Sequence, residues 1–173
     1  MSHDLLEAQS FSKEFPNAKE FIDCTFEDMD LGSKDLRDIQ FEECTFTNCN
    51  FSNAIIEKTG FKSVLFRECK IWGLRFDTCN RFLLEMEFEK CSLNMSSFYD
   101  MDLRRCKFTA CELRETDFAE CNLEEVSFAE CDLESAMFDQ TNLRNSDFRG
   151  ATGFTIQPEN NQISGARFSR DSI

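Results

Sequence analysis

The chain is poor in the residues that punctuate a fold. It has one Trp, one Tyr, one His, two Pro and six Gly in 173 residues. So little Gly and Pro excludes a loop-rich small domain. No run approaches the roughly 18 apolar residues of a membrane span. The opening Met1-Ser2-His3-Asp4-Leu5-Leu6-Glu7 has neither the basic region nor the apolar stretch of a secretory signal. Bases are also scarce: 19 Lys and Arg face 33 Asp and Glu, a net charge of −14. This balance argues against a general nucleic-acid binder and against binding to anionic membranes, both of which need a basic footprint. It suits a partner with a basic surface, because complementary fields steer association. The expected location is cytoplasmic, where thiols stay reduced.

What is abundant is Phe, with 20 copies, and Cys, with ten. The Phe residues follow a period of five. From Phe21 the series runs Phe26, Leu31, Leu36, Phe41, Phe46, Phe51, Ile56, Phe61, Phe66, Ile71 and Phe76 without a miss. The frame then slips by two. A second register opens at Leu83 and continues Phe88, Leu93, Phe98, Leu103, Phe108, Leu113, Phe118, Leu123, Phe128, Leu133, Phe138, Leu143 and Phe148. Neither a helix of period 3.6 nor a strand of period 2 explains this. A coil of short straight segments with a corner every five residues does. Each segment points one large side chain at a central axis. Two residues before each centre stands a smaller one: Cys24, Cys44, Ala54, Val64, Cys69, Cys91, Cys111, Thr116, Cys121, Val126, Cys131 and Ser146 are examples. The other positions are mostly polar or charged.

All ten Cys take that smaller slot. Their five-residue steps turn a corner and do not match zinc spacings, and the single His3 is remote. A catalytic thiol would need a base, and the repeats hold no His. Cys therefore reads as a small hydrophobe of the right volume. No cofactor, metal or catalytic residue is expected, and the chain reads as a non-enzyme: it has no Gly-rich phosphate loop, and a filled tube offers no substrate pocket.

At residues 19–150 the sequence resembles the pentapeptide-repeat family, whose pattern is roughly A(D/N)LXX. Matching stretches include Ala119-Glu120-Cys121-Asn122-Leu123, Cys131-Asp132-Leu133 and Asn145-Ser146-Asp147-Phe148. The resemblance implies an all-β fold, a right-handed quadrilateral parallel β-helix with four pentads to a coil. Twenty-six centres then make about 6–7 coils, and residues twenty apart stack. In the second register two opposite walls carry Phe and two carry Leu. At one strand spacing per coil the rod is about 30–35 Å long. Residues 1–18 do not hold the frame and are expected to cap the first coil. The register break lies near 77–83, where Arg81 falls on a core slot; a two-residue insertion at a corner is the simplest explanation. Residues 151–173 read as a loop and a last partial coil, with Ile163 and Phe168 back in frame.

The stretch from Gly153-Phe154 through Ile156-Gln157-Pro158 to Ala166-Arg167-Phe168-Ser169 looks like the C-terminal portion of the quinolone-resistance (Qnr-like) branch of that family. The branch continues into a short apolar dimerisation helix. The present sequence stops at Ile173, so monomer and C-terminal homodimer both stay open. The resemblance implies binding to DNA gyrase or topoisomerase IV by DNA mimicry, protection from quinolone-type inhibitors, and no direct contact with nucleic acid or membrane.

The acid is concentrated. Residues 112–139 hold Glu112, Glu115, Asp117, Glu120, Glu124, Glu125, Glu130, Asp132, Glu134 and Asp139 against Arg114 alone. That stretch is about one and a half coils, so it forms a belt, the candidate partner-binding site. Fourteen net charges over roughly 32 Å give about one per 2.3 Å, of the order of duplex DNA at about one per 1.7 Å. The alternative is a protein-interaction scaffold with a non-topoisomerase partner, since solenoids commonly serve as binding surfaces.

Overall fold

The computed structural model describes residues 4–170. Residues 1–3 of the expected cap and 171–173 of the expected last coil lie outside the described residues. The strands are short: β1 (Leu5–Glu7), β2 (Ser10–Ser12), β3 (Glu20–Ile22), β4 (Thr25–Glu27), β5 (Gln40–Glu42), β6 (Thr45–Thr47), β7 (Gly60–Lys62), β8 (Val64–Arg67), β9 (Met86–Glu89) and β10 (Lys107–Thr109). They form two parallel sheets, ordered β1-β3-β5-β7 and β10-β9-β8-β6-β4-β2. Phe21 lies against Phe41 and Phe41 against Phe61; Phe26 lies against Phe46 and Phe46 against Phe66. One coil is therefore twenty residues. Beyond Thr109 the coils are joined by isolated parallel bridges. Glu112–Asp132, Asp117–Met137, Asn122–Asn142 and Ser127–Asp147 place one bridge on each of four walls. The molecule is a four-walled parallel β-helix, and no helix of the described residues is long and apolar enough to cross a membrane.

Each wall is a column of centres. The first carries Phe21, Phe41 and Phe61, then Leu103, Leu123 and Leu143. The second carries Phe26, Phe46, Phe66, Phe88, Phe108, Phe128 and Phe148. The third carries Leu31, Phe51, Ile71, Leu93, Leu113 and Leu133. The fourth carries Leu36, Ile56, Phe76, Phe98, Phe118 and Phe138. All of these are buried. The rings stack up each column: Phe88–Phe108 and Phe108–Phe128 have centroids 5.3 and 5.6 Å apart, and Phe98–Phe118 and Phe118–Phe138 are both at 5.4 Å. Across the tube the rings meet edge to face, as Phe108 and Phe118 do at 5.8 Å and 84°. Both arrangements satisfy the quadrupole of the aromatic ring. Each buried ring contributes about 1.5–3 kcal/mol by leaving water.

The small slot does more than fill volume. Its side chain reaches the carbonyl of the centre one coil back. Cys44 Sγ donates to Phe21 O (3.4 Å), Cys69 to Phe46 O (3.4 Å), Cys111 to Phe88 O (3.4 Å) and Cys121 to Phe98 O (2.8 Å). Thr59, Ser96, Thr116, Thr141 and Ser146 make the same bond with their hydroxyls. At Leu36, Leu93, Phe98, Phe118 and Leu123 the same carbonyl also accepts a backbone N–H from three residues on, so the side chain adds a second bond. Smallness is what the slot requires, since Ala54, Val64, Val126 and Ala136 fill it without a donor; Cys, Ser and Thr add the bond.

One predicted centre is displaced. Leu83 is 43% exposed with a φ of 51°, and Leu84, 6% exposed, turns inward instead. Glu85 N–H donates to Phe61 O at 3.0 Å, which sets Leu84 over Phe61 in the first wall. Arg81, Phe82 and Leu83 form an outward bulge. The Arg81 guanidinium is held by the carbonyls of Asp100 and Asp77, so the charge leaves the core slot that strict period five assigns to it. β9 then resumes pairing with β8, Phe88 on Phe66, twenty-two residues on.

Both ends are plugged by aromatics. At the N-terminal end β1 and β2 pair at a spacing of fifteen, Leu6 on Phe21 and Phe11 on Phe26. Phe15 packs on Phe21 and Phe26 at 5.4 and 5.7 Å. At the other end Gly153 has a φ of +74°, and a Cβ there would lie 2.9 Å from Glu134 N, so only glycine lets the chain leave the wall. Phe154 then covers Phe148 at 5.2 Å, and Phe168 returns to stack on Phe148 at 5.4 Å.

Candidate partner-binding surface

The corners decide where the acids stand. Two residues after nearly every centre the backbone enters the left-handed region, at Asp23, Asp28, Asp38, Glu43, Asn48, Asn53 and onward to Asn145. Side chains at these turns project from the four edges of the rod. In the coil 111–130 the four edges are Glu115, Glu120, Glu125 and Glu130, with φ of 54°, 59°, 63° and 58°. Glutamate has no special tolerance for this conformation, which costs roughly 1–2 kcal/mol for a residue with a Cβ.

The remaining six acids lie on the walls. Glu112, Asp132 and Glu134 are on the third wall, Asp117 and Asp139 on the fourth, and Glu124 on the first. Asp117, Glu124 and Asp132 are half-buried and the other seven of the ten are exposed. The belt therefore closes around the rod, but its charges are not equally free. Arg114 reaches Asp132 at 2.7 Å and Glu134 at 3.7 Å. The Asp132 carboxylate in turn raises the Arg114 pKa, chiefly through this hydrogen bond. Glu112 accepts from Ser92 Oγ at 2.8 Å, and Ser92 accepts from Trp72 Nε1 at 2.6 Å. Tyr99 Oη donates to Glu120 at 2.9 Å, and that bond pushes the phenol pKa up.

The thiols offer no chemistry to this surface. All ten are free and buried. Burial pushes Cys44, Cys79, Cys106 and Cys121 up to about 12. Among the described residues no group of three or more His, Cys, Asp or Glu side chains converges on a possible metal position. Two features of the surface escape a reading by period alone. One is the left-handed corner, for which a run of Asp and Asn two places after the centre is the only signal. The other is the set of exposed apolar side chains Ile55, Met95, Tyr99 and Met137, which a period-five frame marks only as outward.

Comparison with known proteins bears on the whole rod. A family model described as "Pentapeptide repeat region" matches residues 39–118 and 83–168, and one described as "Pentapeptide repeats (8 copies)" matches residues 20–57. No curated protein matches the chain. Among solved structures, a trypsin-treated form of QnrB1, described as a plasmid-mediated fluoroquinolone resistance protein, is 17% identical. That match covers 96% of this chain and 91% of that one, with a TM-score of 0.40. HetL, a pentapeptide repeat protein involved in heterocyst differentiation regulation in the cyanobacterium Nostoc, is 16% identical, covering 94% and 81%, with a TM-score of 0.33. With the repeat matched over most of its length and a four-walled coil of five-residue segments built from it, this chain belongs to the pentapeptide repeat family.

Proposed function

We propose that the chain is a non-enzymatic interaction protein whose acidic belt binds the DNA-binding surface of DNA gyrase or topoisomerase IV in place of duplex DNA, and thereby protects the enzyme from quinolone-type inhibitors. The observation that carries this reading is the placing of Glu115, Glu120, Glu125 and Glu130 on all four edges of one coil. A basic saddle closing around the rod meets negative charge from every side, as it would on a duplex. The resemblance of the C-terminal stretch to the Qnr-like branch supports the choice of partner. The filled interior, with Phe and Leu centres buried throughout, supports the non-enzymatic part.

The test is a gyrase supercoiling assay with a fluoroquinolone, with and without the protein, alongside gyrase affinity at two salt concentrations. The comparison is Glu120→Lys/Glu124→Lys/Glu125→Lys/Glu130→Lys. Lys58 and Lys90 already occupy left-handed corners, so the variant should fold. Protection by the wild type, lost in the variant, with binding that weakens as salt rises, is the expected result. Tight binding indifferent to both would end the mimicry mechanism. One observation favours a second reading, a scaffold for a non-topoisomerase partner: Phe82 is 75% exposed on the bulge, a contact that duplex mimicry does not use.

A further inference from the structure

The belt has a side unlike the others. The fourth wall runs one coil below the acidic region at 95–100, and through it at 115–120 and 135–140. These segments read Met-Ser-Ser-Phe-Tyr-Asp, Glu-Thr-Asp-Phe-Ala-Glu and Ser-Ala-Met-Phe-Asp-Gln. They contain Asp100, Glu115, Asp117, Glu120 and Asp139 and no Lys or Arg. Arg81 reaches in from the bulge to Asp100, and Arg75, one coil below Ser97 in the same column and paired with Asp77, bounds the wall from below. The other walls carry their own cations over the same height: Arg104 and Arg105 on the first, Lys107 on the second, and Arg114 on the third. Arg104 is paired with Asp102, Arg105 with Glu85 and Arg114 with Asp132.

The same wall gathers the exposed apolar side chains. Eight large ones stand exposed among the described residues, and four of them belong to this wall or its leading corner: Ile55, Met95, Tyr99 and Met137, at 46, 54, 43 and 51%. In the acidic region Met137 lies one coil above Asp117, which lies one coil above Ser97. Tyr99 stands beside this column, its ring fixed by the bond to Glu120. Tyr99 and Met137 thus stand two coils apart, one on each side of the Phe98–Phe118–Phe138 column, with Asp117 and Ala119 between them and Glu115, Glu120 and Asp139 around them. Duplex DNA offers a protein no such apolar side chains among its charges. A solvated acidic face has no use for Met and Tyr at these positions.

We propose that this wall is where a partner docks, and that the partner presents a basic segment with an apolar anchor, so that Tyr99 and Met137 take the anchor while Asp117, Asp139, Glu115 and Glu120 take the Arg or Lys side chains. The proposal deepens the reading above, which it assumes in holding that the belt binds a basic protein surface. It changes the geometry from a saddle around the rod to one-sided docking. Aromatic and Met side chains are enriched at the centres of protein interfaces, and charge around them sets orientation and rate.

Two probes test it. One is an amphipathic helical peptide with Arg on one face and Leu on the other; the other is purified gyrase. The photo-crosslinking residue p-benzoylphenylalanine is placed at Tyr99 or Met137 on the fourth wall, or at Thr109 or Ser127 on the second. Crosslinks from the fourth wall alone are expected. In parallel, Asp117→Lys/Asp139→Lys and Glu43→Lys/Glu68→Lys, the second pair on exposed left-handed corners outside the belt, change net charge equally. The first should lower peptide affinity about tenfold and the second by less than about threefold. Tyr99→Ala/Met137→Ala should also lower it about tenfold, at high salt as well as low. Each variant is first shown to keep the wild-type circular dichroism and melting temperature. Equal crosslinking from both walls, equal loss from both charge reversals, or no binding of the peptide overturns the proposal. Docking of the peptide on the fourth wall with no binding of gyrase upholds the proposal and removes gyrase as the partner. Gyrase binding with crosslinks from every wall upholds the saddle and removes one-sided docking.

Discussion

The thiol of Cys111 donates to the carbonyl of Phe88, 3.4 Å away and one coil back. The same geometry recurs up the tube with Ser and Thr in the donor's place. It predicts an ordering of variants that volume alone does not. Cys111→Ala removes this bond while the parallel β9–β10 ladder still serves the Phe88 carbonyl, and should cost about 0.5–1.5 kcal/mol. Cys111→Ser keeps a donor, as Ser96 does toward Ile71, and should cost less. Denaturant midpoints of the two variants check this. Equal midpoints would make the slot a matter of size only.

The stacked columns predict a large cost for a missing ring. Phe118 lies between Phe98 and Phe138, at 5.4 Å from each. The coils above and below hold their backbone bonds and cannot collapse into the space. Phe118→Ala should cost about 3–5 kcal/mol. Glu130→Ala on the exposed edge of the same region should stay within about 0.5 kcal/mol. Equal effects would reverse the inward and outward assignments.

The corners predict a change of sign with substituent. Glu125 has a φ of 63°. Glu125→Gly relieves about 1–2 kcal/mol of left-handed strain and gives back about 0.5–1 in unfolded-chain entropy, a net gain of up to about 1.5 kcal/mol. Glu125→Val should instead destabilise, since a β-branched side chain fits this conformation worst. Melting temperatures on either side of wild type are the expected outcome.

Two carboxylates should resist acid. The Arg37 guanidinium holds the Asp35 carboxyl down at about 2, and Arg149 does the same for Asp147. A carboxyl whose pKa falls on folding adds stability above its ordinary pKa, and that stability is lost as pH drops from about 4 through about 2. Both groups are on the surface, so the gain from each is small. Carbon-13 chemical shifts of the two carboxyls should show midpoints near 2. Midpoints near 4 would mean that the two ion pairs do not form in solution.

Much of this architecture is legible in the residue order, because one side chain in five must point inward and only large apolar residues serve there. Phe21 to Phe76 and Phe88 to Phe148 are placed correctly on that basis alone. Leu83 fails for a local reason. Leu83 and Leu84 are adjacent and chemically identical, and the choice between them is made by the backbone bond from Glu85 to Phe61 and by the burial that Arg81 avoids. The belt is visible as composition. Its division into a third wall that carries its own arginine and a fourth wall whose segments 115–120 and 135–140 hold no Lys or Arg is not, because Arg114 finds Asp132 across a coil boundary eighteen residues away.

The bulge at Arg81–Leu83 also says something about how such a rod changes over time. The coil that contains it takes twenty-two residues, and the chain still returns to the same wall, with Phe88 on Phe66. Extra residues are absorbed outward at a corner while the bore stays in phase. Since each coil touches only those next to it, whole turns of the screw can be gained or lost by gene duplication or deletion without redesign of a shared core. Reach and decoration are then separate heritable variables: the number of turns sets how far the rod extends, and corner insertions set what it displays at each height.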